Sequence, residues 1–122
     1  MVTIVVDDYD VGIKHYVHDL GFALIEDTEL SPDKRWVVVS PSNDGAKILL
    51  AKAANDQQRL SIGNSTGGRV GFFLYTTKFE ETYKNYKSRE IEFIENPRQE
   101  SFGQVVVFKD KYGNKWDLIE RK

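Results

Sequence analysis

Asp117 is the residue of this 122-residue chain best placed to do chemistry. It lies between Trp116 and Leu118 in the run Lys115 to Ile119, which reads as a strand. Side chains alternate across a strand, so Asp117 faces away from that apolar pair. A carboxylate there can act as a general base or bind a cationic ligand, or it can simply pair with a basic neighbour. Gly71, Phe73 and Tyr75 alternate the same way along Val70 to Tyr75, with Phe72 and Leu74 read as core. They line a ligand space with aromatic surface, Gly71 leaving room, or the two rings plug that space. Arg35 and Trp36 open another strand, and Arg69 and Arg98 fall near sheet ends. An arginine beside an aromatic ring can grip a carboxylate or stack on a planar ligand. Surface salt bridging is the commoner fate of arginine and is the reading for Arg69. Both readings stay open for Arg35 and Arg98.

Other candidates carry less. His15 and His18 are three apart on a helical segment, which a metal pair would allow. No third ligand stands at zinc-site spacing, so His15 is read as lying near a sheet and His18 as solvated. Asp7, Asp8 and Asp10 lack the glycine and glutamate spacing of a calcium loop and suit a helix N-terminus. Gly67-Gly68 lacks the lysine of a phosphate loop. The absence of cysteine removes disulfide frameworks, thiolate nucleophiles and iron–sulfur clusters. A formal charge of −2 gives no electrostatic footprint for nucleic acid. No apolar run approaches the roughly 20 residues of a membrane helix, so no membrane partner is expected. Met1 to Asp8 has neither the basic nor the apolar region of a secretion signal, and a cytoplasmic location is the default expectation.

These residues must be positioned by short elements. Val2 to Val6 is a β-branched strand, and a helix follows to Leu20, with Gly21 at its end. Phe22 to Ile25 is a second strand, Thr28 to Lys34 a turn, Arg35 to Ser40 a third strand, Pro41 to Gly45 a turn, and Ala46 to Ala51 a fourth strand. Residues 52–69 are polar and read as a linker with one short helical turn. The order then recurs: strand Val70 to Tyr75, helix Phe79 to Arg89, strand Ile91 to Ile94, a loop from Asn96 to Gly103, strand Val105 to Lys109, turn Asp110 to Asn114, and strand Lys115 to Ile119.

The recurrence can be checked residue by residue. Tyr16 matches Tyr86; Phe22 to Asp27 (FALIED) matches Ile91 to Asn96 (IEFIEN); Trp36 to Val39 matches Val105 to Phe108; Lys47 to Ala51 matches Lys115 to Ile119. Identity is low, but element order and turn placement agree. The chain therefore reads as an α+β domain over residues 1–122: module one at 1–51, a linker at 52–69, and module two at 70–122.

A duplicated strand–helix–strand–strand–strand unit of this length resembles the glyoxalase, bleomycin-resistance and extradiol-dioxygenase superfamily, the vicinal oxygen chelate fold. The resemblance rests on Val5 to Asp10, Tyr16 with Leu20-Gly-Phe22, Arg35 to Val39, and above all the Asp110-Lys-Tyr-Gly-Asn114 turn leading into Lys115 to Glu120. It implies two tandem βαβββ modules forming a curled, barrel-like mixed sheet, helices on the convex face and a ligand pocket on the concave face. It also implies a homodimer.

Metal-dependent members of that family hold one divalent cation with His, Glu or Gln from the first and fourth strands of each module. Here those positions fall at Met1 or Val2, Leu49, near Gly71, and Asp117. Only Asp117 can coordinate a hard cation, and one carboxylate does not hold a metal alone. No cofactor or metal is therefore expected. The resemblance then implies an unidentified small molecule bound in a pocket lined by Arg35, Trp36, Leu49, Gly71, Phe73, Tyr75, Arg98 and Phe102. The alternative is a glyoxalase-like lyase or dioxygenase-type enzyme with a rebuilt or metal-assisted site around Asp117 as its catalytic residue.

Overall fold

Val2–Val6 forms strand β1, where three β-branched valines, Thr3 and Ile4 favour extended backbone and Ile4 and Val6 are buried. The computed structural model describes residues 1–122, and the chain divides into two compact units, Met1–Ile62 and Gly63–Lys122.

In the first unit β1 is followed by helix α1, Tyr9–Ile13, capped by the Asp8 carboxylate, which accepts from the Val11 amide at 2.9 Å. The helix does not run to Leu20 as a regular α-helix. From Lys14 to Asp19 it widens into a π-helical segment, and the Leu20 amide reaches back five residues to the His15 carbonyl at 3.0 Å. Two consecutive side chains, His15 and Tyr16, are both buried there. Strands β2, Ala23–Ser31, β3, Lys34–Ser40, and β4, Ile48–Lys52, complete a mixed sheet in the order β1-β4-β3-β2. Strands β1 and β4 are parallel and the other pairs antiparallel. Helix α1 packs on β3 and β4. The expected turn from Thr28 to Lys34 shrinks to Pro32 and Asp33. Pairing continues through Glu29 opposite Arg35 and Ser31 opposite Lys34, so β2 is longer than its apolar stretch. The polar stretch after Lys52 contributes helix α2, Asp56–Ser61, capped by Asn55.

The second unit repeats the order. Strand β5, Val70–Thr76, leads through helix α3, Phe79–Ser88, to β6, Glu92–Phe93, β7, Arg98–Glu100, β8, Gly103–Lys109, and β9, Lys115–Glu120. The sheet runs β5-β9-β8-β6, with β7 also paired to β8. Strands β5 and β9 are parallel. Two departures from expectation share one cause. The strand expected over Ile91 to Ile94 keeps only Glu92 and Phe93 in ladder register, and the loop expected from Asn96 contains β7. Between them the Glu95 carboxylate accepts from the Val107 amide at 3.0 Å, so a side chain fills the ladder position while the backbone steps from one strand to the next.

On the helix-covered face of this sheet Phe72 stacks on Trp116 at 4.6 Å between ring centres. Trp116 stacks on Phe108, and Tyr86 of α3 meets Phe108 edge-on. Phe79, Tyr86, Phe108, Trp116 and Leu118 are all buried. The two tandem βαβββ modules and the α+β class are thus as the sequence reads. No helix is long and apolar enough to cross a membrane.

Candidate functional site

The opposite face of the second sheet is the more chemically provided surface. Alternation along β9 buries Trp116 and Leu118 and turns Asp117 and Ile119 the other way. Register sets Phe73 beside Asp117 and Tyr75 beside Ile119, with Val107 and Val105 as their partners on β8. A cavity of about 840 Å³ opens over this face, lined among others by Phe73, Tyr75, Arg98, Phe102 and Asp117. Five residues singled out from the sequence therefore meet here. Glu100, Glu120, Arg121 and Lys122 line it too; sequence patterning missed them because they lie at strand ends, where alternation gives no signal.

Phe73, Tyr75 and Phe102 are 58%, 53% and 53% exposed, so the rings lie open along the cavity instead of filling it. Asp117 Oδ1 is buried with no hydrogen-bond partner. Burial pushes the Asp117 carboxyl up from its ordinary range, the Arg98 charge works against that, and the Glu95 charge adds to it. Arg98 itself is engaged: Nε donates to Glu95 at 3.1 Å and Nη1 to Glu100 at 2.9 Å. Arg121 lies 4.9 Å over the Tyr75 ring.

The remaining pocket candidates lie elsewhere. Arg35, Trp36 and Leu49 line a separate cavity of about 610 Å³ in the first unit, with Tyr9, Lys34 and Lys52. Arg35 there is held by Asp27 through two hydrogen bonds of 3.1 and 2.7 Å and by Asp10 at 2.8 Å, and it lies over Tyr9. It follows the salt-bridging alternative. Gly71 lines neither cavity: it sits at a register break in β5, and a Cβ there would meet the Thr66 methyl at 2.8 Å. Its small size admits a neighbouring side chain of the chain itself.

The family-type metal does not fit these residues. The cross-strand neighbour of Leu49 is Thr3 and that of Asp117 is Phe73. Met1, Val2, Thr3, Leu49, Gly71 and Phe73 supply no nitrogen or carboxylate donor, and no three His, Asp or Glu side chains are grouped to share an ion. His15 is buried with Nδ1 3.2 Å from Asp19 Oδ2, whereas His18 is exposed, so the two do not form a pair.

Two tandem βαβββ units, each a mixed sheet with its own helix, define the fold class of the chain. The chain belongs to the Glyoxalase/Bleomycin resistance protein/Dioxygenase superfamily, whose model matches residues 1–118. An uncharacterized protein of Shewanella frigidimarina is 46% identical over 121 residues, covering 98% of this chain and 90% of the relative. Among solved structures, UcmS2 superposes with a TM-score of 0.80 at 26% identity, covering 96% of this chain and 92% of that one. TnmS3, an antibiotic binding protein from Streptomyces sp. CB03234, shares the fold with a TM-score of 0.75 at 20% identity, over 99% of this chain and 93% of its own.

Proposed function

We propose that the chain is a metal-independent binding protein that sequesters a small organic molecule over the open face of its second sheet. The observation that carries this reading is the pairing of three exposed aromatic rings, Phe73, Tyr75 and Phe102, with a buried carboxylate oxygen of Asp117 that no protein donor satisfies. Rings left open cost burial free energy that a bound molecule would recover, and the unmet acceptor asks for a donor from the same molecule. The donor set described above favours binding over metal chemistry. TnmS3, described as antibiotic binding, shares the fold and illustrates the same use of it. The functional unit in this reading is a cytoplasmic homodimer, which a sedimentation mass equal to one chain would overturn.

Thermal melting with Ni²⁺, Zn²⁺, Mn²⁺ and Fe²⁺, run beside a panel of planar organic compounds, tests the reading. Stabilisation by members of the panel and by none of the metals is the expected result. Stoichiometric, stabilising binding of one metal would sink it. A second reading, general-base catalysis by Asp117, has one observation in its favour: burial raises that carboxyl, which makes the carboxylate a stronger base. Under that reading Asp117→Asn abolishes turnover of a bound compound, and under the first there is no turnover to lose.

A further inference from the structure

We propose that the cavity of the second unit takes an organic cation, a protonated nitrogen carried on a flat apolar body, with the cationic nitrogen meeting the Asp117 carboxylate and the body lying along Phe73, Tyr75 and Phe102. This rests on the binding reading above and names the chemistry of its ligand.

Three features of the site converge on a cation. First, the orphan oxygen belongs to a carboxylate, and a charged donor satisfies a carboxylate more strongly than a neutral one does. Second, the guanidinium nearest in charge influence makes no hydrogen bond to that oxygen. Arg98 spends Nε on Glu95 and Nη1 on Glu100, and Glu95 shares the same oxygen with the Val107 amide. Around Asp117, two carboxylates, Glu95 and Asp117 itself, therefore face one guanidinium, which Glu100 also draws on from the far side, and the cluster is one positive charge short. Third, the surface beside it is aromatic, and ring faces attract cations. Tyr75 already holds Arg121 over its ring in this way.

Register also gives the ligand a direction. Phe73 and Asp117 lie side by side at one end, with Val107 beyond. Tyr75 and Ile119 are two residues further, roughly 7 Å along the strands. Phe102, in the turn between β7 and β8, lies beyond them. The remaining charges gather at that far end. Glu120 Oε1 accepts from the Gln104 amide at 2.9 Å, and Arg121 is four residues, roughly 13 Å, from Asp117. Those groups leave the Asp117 end negative. The cationic head belongs there, and the flat body points toward Phe102.

Three tricyclic probes of equal shape test this: aminoacridine, which is cationic at neutral pH, neutral acridine, and acridine carboxylate, titrated by fluorescence at fixed ionic strength. The cation should bind about tenfold or more tighter than the neutral probe, as a charge-assisted hydrogen bond warrants. Asp117→Asn should bring the two to near parity while leaving the affinity for neutral acridine in place. Phe73→Ala should weaken all three probes together and keep their order. Lowering the pH should weaken aminoacridine, which stays cationic throughout, because protonating Asp117 removes the charge it meets. If the neutral or anionic probe binds as well as the cation, or if Asp117→Asn keeps the cation's advantage, the cation assignment fails and the binding reading stands. If no probe binds and a divalent metal stabilises the chain, both fail. Should Asp117→Asn not fold, the order of the probes on the wild-type chain and on Phe73→Ala decides.

Discussion

Trp116 is tied to Asp110 across the turn that precedes β9: its indole Nε1 donates to Asp110 Oδ2 at 3.0 Å. The same carboxylate accepts from the Tyr112 and Asn114 amides, both at 3.0 Å, and from Asn114 Nδ2. One buried side chain thus closes the turn and fixes the large ring against which Phe72 and Phe108 stack. Since Asp117 is the next residue, the turn also sets which face of β9 presents it. Asp110→Ala would strand several buried donors at once. Each costs about 1–3 kcal/mol, so a loss of about 3 kcal/mol or more is expected, measured by urea unfolding. A loss under about 1 kcal/mol would show that the ring stacking alone holds the turn.

Gly63 lies close to that turn. Its φ is +70°, and a Cβ there would overlap the Tyr112 carbonyl oxygen. Gly67 has a similar φ of +69° with open space around it. Gly67→Ala should cost about 1 kcal/mol, the usual penalty for a left-handed alanine. Gly63→Ala should cost about 2 kcal/mol more, because backbone must move to relieve the overlap. Paired denaturation midpoints of the two variants check the difference.

How much of this was legible in the sequence depended on burial. Strand β1 and the Asp110 to Asn114 turn stand where the residue pattern places them, because apolar alternation and turn residues mark them directly. Asp117, Phe73 and Tyr75 share a face as alternation requires. The end of β2 was not legible, because Asp27 to Ser31 are exposed and a strand without a buried face leaves no period to read. Strand β7 is hidden for the same reason, all three of its residues being exposed. The π-helical segment escaped because its signature is backbone hydrogen bonding that reaches back five residues, not a side-chain pattern. The candidate pocket residues divided between two cavities because alternation gives the face of a strand but not which sheet's cavity lies over it.

Arg35 offers a test in the first unit. Its fork grips Asp27 with two hydrogen bonds, and that hydrogen bonding holds the Asp27 carboxyl below its ordinary range, with burial opposing and the Arg35 charge reinforcing it. Lysine cannot reproduce the fork. Because the group is open to solvent, Arg35→Lys should cost less than about 1 kcal/mol at neutral pH. A depressed carboxyl contributes stability above its ordinary value of 3.8, and that contribution is lost as pH falls through the depressed value. The gap between wild type and variant should therefore close in acid. A gap that widens in acid would mean the arginine acts through packing on Tyr9.

Asp117 should behave in the opposite sense. Burial raises its carboxyl above the ordinary 3.8, so the folded state holds the proton more tightly than the unfolded chain does. Such a group favours folding fully below 3.8, and the benefit disappears as pH rises through the raised value. At pH 8 the wild-type chain carries a half-buried carboxylate with one oxygen unsatisfied, a charge that asparagine would not carry. Asp117→Asn should therefore melt at a higher temperature than wild type at pH 8, and the two curves should meet in acid. A lower melting temperature at pH 8 would show that the carboxylate is satisfied within the fold. The expected stabilisation bears directly on function. A chain made more stable by removing one charge, while losing its preference for cations, is one in which that charge is retained for the ligand at the expense of the fold.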